Sequence, residues 1–244
     1  LVQNGSDKIG GSTVNATLET EGIAVTLVFI DSTQGWLVTD SGLQDEAPTA
    51  QFISATGGTI TTVCTNFKVH TFTGPGTFTV CSTGNPAGST AVDYLVVAGG
   101  GSSSQGGSCS WNGAGGGAGG YRFSNGTASG CYSAGPAPLG ASAAPVTAQA
   151  YPIVVGAGGA RNPGVASTGI PGLIGNDSSA IAITSTGGGA GRMAYPGTGP
   201  AAQSANGGSG GGGAAPWPSR ICNPVSGGAG NTPPVSPSQG NPGG

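Results

Sequence analysis

Several stretches of this 244-residue sequence spell signatures of catalysis or phosphate binding. Gly115-Gly116-Gly117-Ala118-Gly119-Gly120 satisfies G-x-G-x-x-G, and Leu95-Val96-Val97-Ala98 running into Gly99-Gly100-Gly101 reads like the first strand and phosphate loop of a dinucleotide-binding fold. That chemistry needs a helix N-terminus directly after the loop, to aim N–H groups and a dipole at the pyrophosphate, and an acidic residue about 20 positions on for the ribose. Here the loop is followed by Tyr121-Arg122-Phe123-Ser124-Asn125-Gly126, a turn-rich run, and no Asp or Glu occurs between Asp93 and Asp177. Gly207-Gly208-Ser209-Gly210-Gly211 spells the nucleophile elbow G-x-S-x-G, whose triad requires a later histidine; the single histidine, His70, comes far earlier. His70 alternates with Val69 and Thr71 as an ordinary strand residue would. Asp45 and Glu46 are adjacent beside Pro48, in a linker rather than converging across a cleft as paired acid chemistry demands. The spellings Asn4-Gly5-Ser6, Asn15-Ala16-Thr17, Asn125-Gly126-Thr127 and Asn176-Asp177-Ser178 are glycan acceptors only in a eukaryotic secretory setting. No enzyme, cofactor or metal is expected.

Five cysteines, Cys64, Cys81, Cys109, Cys131 and Cys222, lack C-x-x-C spacing and so do not suggest zinc. Cys109 with Cys131, and Cys64 with Cys81, are candidate disulfides, which leaves one thiol unpaired or bonded to another chain; reduced small apolar side chains are the alternative. The most expressive residues lie between glycine runs. Trp111, Tyr121, Arg122, Phe123, Tyr132, Arg192, Tyr195, Trp217 and Arg220 sit among Ser, Asn, Pro and Ala, a mixture suited to recognition loops. Aromatics supply contact area at low entropic cost, and arginines pair with anionic or hydroxyl groups. Such residues also serve simply to cover the ends of a glycine array.

The elements that must position them divide near Tyr94. Of 52 glycines, 40 fall from Gly99 onward, in runs such as Gly187-Gly188-Gly189 and Gly210-Gly211-Gly212-Gly213. Glycine loses more backbone freedom on ordering than any other residue, so the cost must be recovered through backbone contacts or the segment stays a linker. Apolar runs return throughout, in Tyr151-Pro152-Ile153-Val154-Val155 and Ala180-Ile181-Ala182-Ile183-Thr184, which a solvated linker has no reason to contain. The expectation is a packed bundle of three-residue-per-turn polyglycine helices whose outward N–H and C=O groups bond between segments. Before Tyr94 the sequence reads as short strands: Ile23 to Ile30, Gly35 to Thr39, Phe52-Ile53, Thr59 to Cys64, Phe67 to Phe72 and Phe78 to Cys81, with a turn at Thr73-Gly74-Pro75-Gly76. No 3.6-residue period persists, so almost no α-helix is expected. The predicted domains are a β-hairpin module over 1–46, a β-meander connector over 47–94 and a glycine-rich domain over 95–244.

Charge narrows the partners. Up to Tyr94 there are eight acidic residues against Lys8 and Lys68; beyond it, Arg122, Arg161, Arg192 and Arg220 face Asp177 alone. Nucleic-acid binding needs clustered basic residues and is not expected. The longest apolar-rich run, Ile23 to Ile30, is far short of the roughly 18–20 residues of a spanning helix. With Leu1 rather than Met at the start, the chain reads as a processed fragment or the distal part of something longer.

Asn4-Gly5-Ser6-Asp7-Lys8-Ile9-Gly10, Leu18, and the Val25-Thr26-Leu27-Val28 to Gly35-Trp36 strand pair resemble a small module of bacteriophage tail fibres and other virion appendages. The run from Lys68 to Val80, followed by Val92-Asp93-Tyr94-Leu95-Val96-Val97-Ala98-Gly99-Gly100-Gly101, is similar to the entrance of glycine-rich domains in phage structural proteins. With Gly115 to Tyr121, Val154 to Gly159 and Gly187 to Gly191, this second resemblance covers most of residues 60–244. It implies a distal tail-fibre adhesin whose tip is a glycine-helix sandwich topped by variable loops. The insert Ser133 to Ala150 and the cluster Pro216-Trp217-Pro218 depart from that pattern and bear on the fine topology. The resemblance leads to the expectation of a virion protein that recognises a host cell-surface glycan or protein through its loops and has other fibre proteins as partners. The first module, with strands too short and too few for a sizeable core, is expected to be completed by identical copies, as a homotrimer. A purely structural appendage or capsid-decorating fibre is the alternative, and an extracellular glycine-rich matrix protein a third.

Overall fold

The computed structural model describes residues 1–2, 4–19, 21–43, 50–85, 88–105, 113–124, 140–161, 170–193, 205–214 and 226–244. Among these residues every regular element is a strand and none is a helix, as the absence of a 3.6-residue period predicts. The chain forms two compact units, Leu1–Gln51 and Phe52–Gly244.

The first unit is a hairpin of β1 (Ile23–Asp31) and β2 (Gly35–Leu43), joined by a turn in which Asp31 Oδ1 accepts the N–H groups of Thr33 (2.8 Å) and Gln34 (2.6 Å). Gly35 is obligatory for two reasons. Its φ is +73°, and a Cβ there would overlap the backbone of Lys8, which accepts a hydrogen bond from Trp36 N–H (2.8 Å). Phe29 and Trp36 are cross-strand partners and meet edge to face, with ring centroids 5.5 Å apart.

The second unit opens with β3 (Ser54–Thr56), β4 (Thr59–Val63), β5 (Phe67–Thr71) and β6 (Gly76–Ser82). It continues through β7 (Ala91–Val92), β8 (Leu95–Val97), β9 (Tyr121–Phe123), β10 (Ala144–Pro145), β11 (Ala150–Ile153), β12 (Ser178–Ala180) and β13 (Ile183–Ser185). Strands β11, β6 and β3 form a three-stranded antiparallel sheet; β4 pairs with β5, β7 with β10, β8 with β9 and β12 with β13. The strands expected in the 47–94 connector therefore share one compact unit with the glycine segments, because Ala150–Ile153 returns to pair along β6. Its apolar core is small: Phe78, Val80, Val146 and Ile153, flanked by Ile53, Phe72, Tyr151, Val155 and Ile181. Hydrogen bonds to Thr147, whose N–H donates to the Tyr151 hydroxyl at 2.8 Å, hold that phenol below its usual pKa.

Beyond this core the glycine segments run side by side as extended chain, and their hydrogen bonds repeat every three residues. The N–H groups of Ala98, Gly101 and Ser104 donate to Gly120, Gly117 and Ala114, whereas those of Gly99, Ser102 and Gln105 donate to Asn176, Leu173 and Ile170. Two neighbours are thus served by alternating triplet positions of one segment. A third neighbour donates into the same segment, from Gly188 to Gly99 O (2.9 Å) and from Gly191 to Ser102 O (3.0 Å). Backbone bonding in several directions replaces the side-chain core that this composition cannot build. Close approach is the reason for the glycine: a Cβ on Gly117 would overlap the carbonyl oxygen of Ser209, whereas one on Gly115 would meet nothing within 4 Å.

Candidate functional site

Small polar side chains fit into the gaps of this network and finish it. Ser104 Oγ donates to Arg192 O (2.7 Å) and accepts the N–H of Ala114 (2.7 Å); Ser102 Oγ accepts the N–H of Leu173 (2.9 Å). Ser185, fully buried, donates to Val96 O at 2.7 Å. Gln239 is 2% exposed and joins three segments: its Oε1 accepts Thr186 N–H (2.8 Å), its Nε2 donates to Pro233 O (3.1 Å), and its carbonyl accepts Tyr121 N–H (2.8 Å). Nothing in the sequence singled out Gln239; a lone long polar residue in a Ser/Pro/Gly run was the available signal.

The frame has two distinct ends. At one, Gln105 pairs with Ile170 and Gly113 with Met193, while Arg192 N–H donates to Gly212 O (3.1 Å), two residues before Ala214. Residues 106–112, 162–169, 194–204 and 215–225, which lie outside the described residues, are entered from this end, at Gln105, Arg161, Met193 and Ala214. A cavity of about 530 Å³ opens here, lined by Ser103, Ser104, Gln105, Ala114, Arg161 and Ile170, with Gly113 and Gly115 completing its wall. Arg161 is exposed; the Arg192 Nε is buried without a hydrogen-bond partner.

The other end carries β8, β9, β12 and β13. There Tyr121 packs on Phe123 (ring centroids 5.2 Å), and Arg122 Nη1 donates to Thr184 O at 3.3 Å. Of the predicted recognition residues, Tyr121 and Arg122 therefore share one end and Arg192 the other. The stretch from Gly113, which bridges Met193, to Tyr121 lies between them. Trp111, Tyr132, Tyr195, Trp217 and Arg220 lie outside the described residues, as do Cys109, Cys131 and Cys222. Residues 125–139, which include Tyr132, are bounded by Ser124 and Gly140, and Ser124 bridges Ala141 at the Tyr121 end.

The expected pairing of Cys64 with Cys81 is corrected. Cys64 is disulfide-bonded, but Cys81 is an exposed free thiol, so the two are not paired with each other. The physical reason is the strand layout: Cys64 sits in the turn at the tip of the β4–β5 ribbon, while Cys81 belongs to β6 in a separate sheet. His70 is structural. Its Nδ1 lies 2.8 Å from Gly57 O and its ring meets Phe78 edge-on at 5.1 Å.

The two side-chain carboxylates of residues 52–244 are both engaged away from the cavity end. Asp93 accepts Ser124 Oγ–H (2.6 Å), and Asp177 accepts Gly187 N–H (2.8 Å). Among the described residues no group of three His, Cys, Asp or Glu converges on a common point, and no helix is long and apolar enough to cross a membrane. A family model described as a glycine-rich domain matches residues 71–244, the stretch that holds β6 to β13 and the glycine network. No curated protein and no solved structure matches the chain.

Proposed function

The chain belongs to the glycine-rich domain family, and from that premise we propose that it is a non-enzymatic attachment protein of a virion appendage, a tail-fibre tip that contacts the host cell surface. One observation carries the reading: four described stretches of chain end together, at Gln105, Arg161, Met193 and Ala214, on one end of the backbone-bonded frame. A frame stiffened by hydrogen bonds in several directions, from one end of which the chain continues four times, suits recognition. The glycine segments are read as polyglycine-type helices in a bundle, which the three-residue bonding period supports. Trp111, Tyr195, Trp217 and Arg220 belong to the segments entered from that end and remain the candidate receptor contacts, and Tyr132 remains a candidate outside the described residues; Tyr121 and Arg122 belong with the other end and drop to second rank.

A trimer is part of the proposal. Residues Leu27, Phe29, Trp36 and Val38 share one face of the first hairpin, and Val28, Ile30 and Leu37 the other. Val28 is 42% exposed, Ile30 52% and Val38 53%. A two-stranded ribbon apolar on both faces is marginal alone and gains by packing against copies of itself.

The test is inhibition of particle adsorption to host cells by the purified protein, repeated with Trp111→Ala, Tyr195→Ala and Trp217→Ala. Loss of inhibition in variants that keep the wild-type melting temperature supports attachment through these segments. Undiminished inhibition by all three variants removes them from the contact, and absence of inhibition by the wild type favours a purely structural appendage.

A further inference from the structure

We infer that the cavity at the Gln105 end is a subsite for a carboxylate-bearing sugar residue, which deepens the attachment reading and rests on it for the source of the glycan. Its volume, about 530 Å³, lies within the range of small-ligand sites. Some of the polar groups around it are already satisfied: Gln105 and Ile170 exchange backbone hydrogen bonds (2.8 and 3.0 Å), and Ser104 spends its hydroxyl on Arg192 O and Ala114 N–H. The uncommitted groups are the Ser103 hydroxyl, the Gln105 carboxamide and the Arg161 guanidinium, all on exposed residues that make no side-chain hydrogen bond or ion pair among the described residues. Hydroxyl and carboxamide donate to and accept from sugar hydroxyls, and Ile170 offers an apolar patch to the C–H face of a ring.

The charge count selects the anion. Arg161 is the one charged residue on the wall, and a planar guanidinium fork matches a carboxylate through two parallel bonds. A phosphate dianion asks for more positive charge than this wall provides. No side-chain carboxylate competes, because Asp93 and Asp177 are held elsewhere.

The full-length chain is titrated with tri-galacturonic acid and, separately, with the neutral trigalactoside, using saturation-transfer NMR and calorimetry. The expected result is binding of the acidic trisaccharide at least tenfold tighter than of the neutral one. Arg161→Gln should weaken it about tenfold and Arg161→Lys less. Gly115→Leu, at a position where a Cβ meets nothing but which lines the cavity, should weaken both trisaccharides by obstruction. Equal binding of the two trisaccharides, no binding of either, or unchanged binding in both Arg161→Gln and Gly115→Leu, overturns the inference. The adsorption assay separates the two claims. Inhibition by the wild type that Arg161→Gln matches in full counts against the subsite and leaves attachment standing; acidic-sugar binding without any inhibition supports the subsite and counts against attachment.

Discussion

At the scale of single residues, the frame separates glycines that cannot change from glycines that can. Gly117 has the carbonyl oxygen of Ser209 where its Cβ would stand, and that oxygen belongs to another segment's backbone, which no rotamer change can move. Gly117→Val is expected to lower stability by about 3 kcal/mol or more. Gly115→Ala, two positions away in open space, should be neutral or gain up to about 1 kcal/mol by restricting the unfolded chain. Thermal unfolding followed by circular dichroism distinguishes these, and equal effects would mean that neighbouring segments do not pack against Gly117. Gln239→Ala removes the acceptor of Thr186 N–H inside the frame and is expected to cost about 1–3 kcal/mol. Sequence reasoning could not reach such distinctions. All glycines in a run look alike until neighbouring segments are in place, and the ends to which Tyr121 and Arg192 belong are set by contacts far apart in sequence.

At the scale of elements, what was legible depended on how local the determinant is. The hairpin over Ile23–Asp31 with Gly35–Leu43 follows from β-branched runs around turn residues and was expected within a few residues. By contrast, Phe67–Thr71 and Gly76–Ser82, expected to be joined as a pair by the Thr73-Gly74-Pro75-Gly76 turn of a meander, lie in different sheets. Phe67–Thr71 folds back on Thr59–Val63, and Gly76–Ser82 is taken between Ser54–Thr56 and Ala150–Ile153. The β12–β13 hairpin was harder to read, because its turn places Ile181 (φ +50°) and Ala182 (φ +59°) in the left-handed region with no Asn or Gly to announce it. Ile181 packs against the core, which holds the turn in place. Ala182 has no such role, so Ala182→Gly is expected to stabilise by about 0.5 kcal/mol and raise the melting temperature by about 1–2 °C. A fall in the melting temperature would show that the Ala182 methyl contributes packing that outweighs its backbone strain. The assignment of Cys64 to Cys81 failed for the converse reason: closeness along the chain says nothing about which sheet a strand joins.

At the scale of the whole molecule, two units with different sources of cohesion should unfold differently. Residues 52–244 bond each segment to several others that are remote in sequence, so no segment can leave without opening the rest, and one cooperative transition is expected. The unit Leu1–Gln51 exposes apolar side chains on both faces of its ribbon, and its transition should move to higher temperature with protein concentration if copies complete it. Calorimetry at two concentrations checks both. A concentration-independent first transition, with a monomer mass in solution, would dispose of the trimer. Hydrogen exchange gives a finer check: the amides of Gly101, Gly117, Gly188 and Gly189, each bonded to another segment, should exchange orders of magnitude more slowly than in a free peptide.

The three-residue repeat of hydrogen bonds also has a mechanical side. Bonds between neighbouring segments cross the gap between them and recur along the direction in which the chains run. A load pulling along the segments, applied at the Gln105 end, strains the whole set of bonds on a segment together in shear instead of breaking them singly from one edge. Resistance to tension is thereby shared along the length of each segment, and it owes little to side-chain identity.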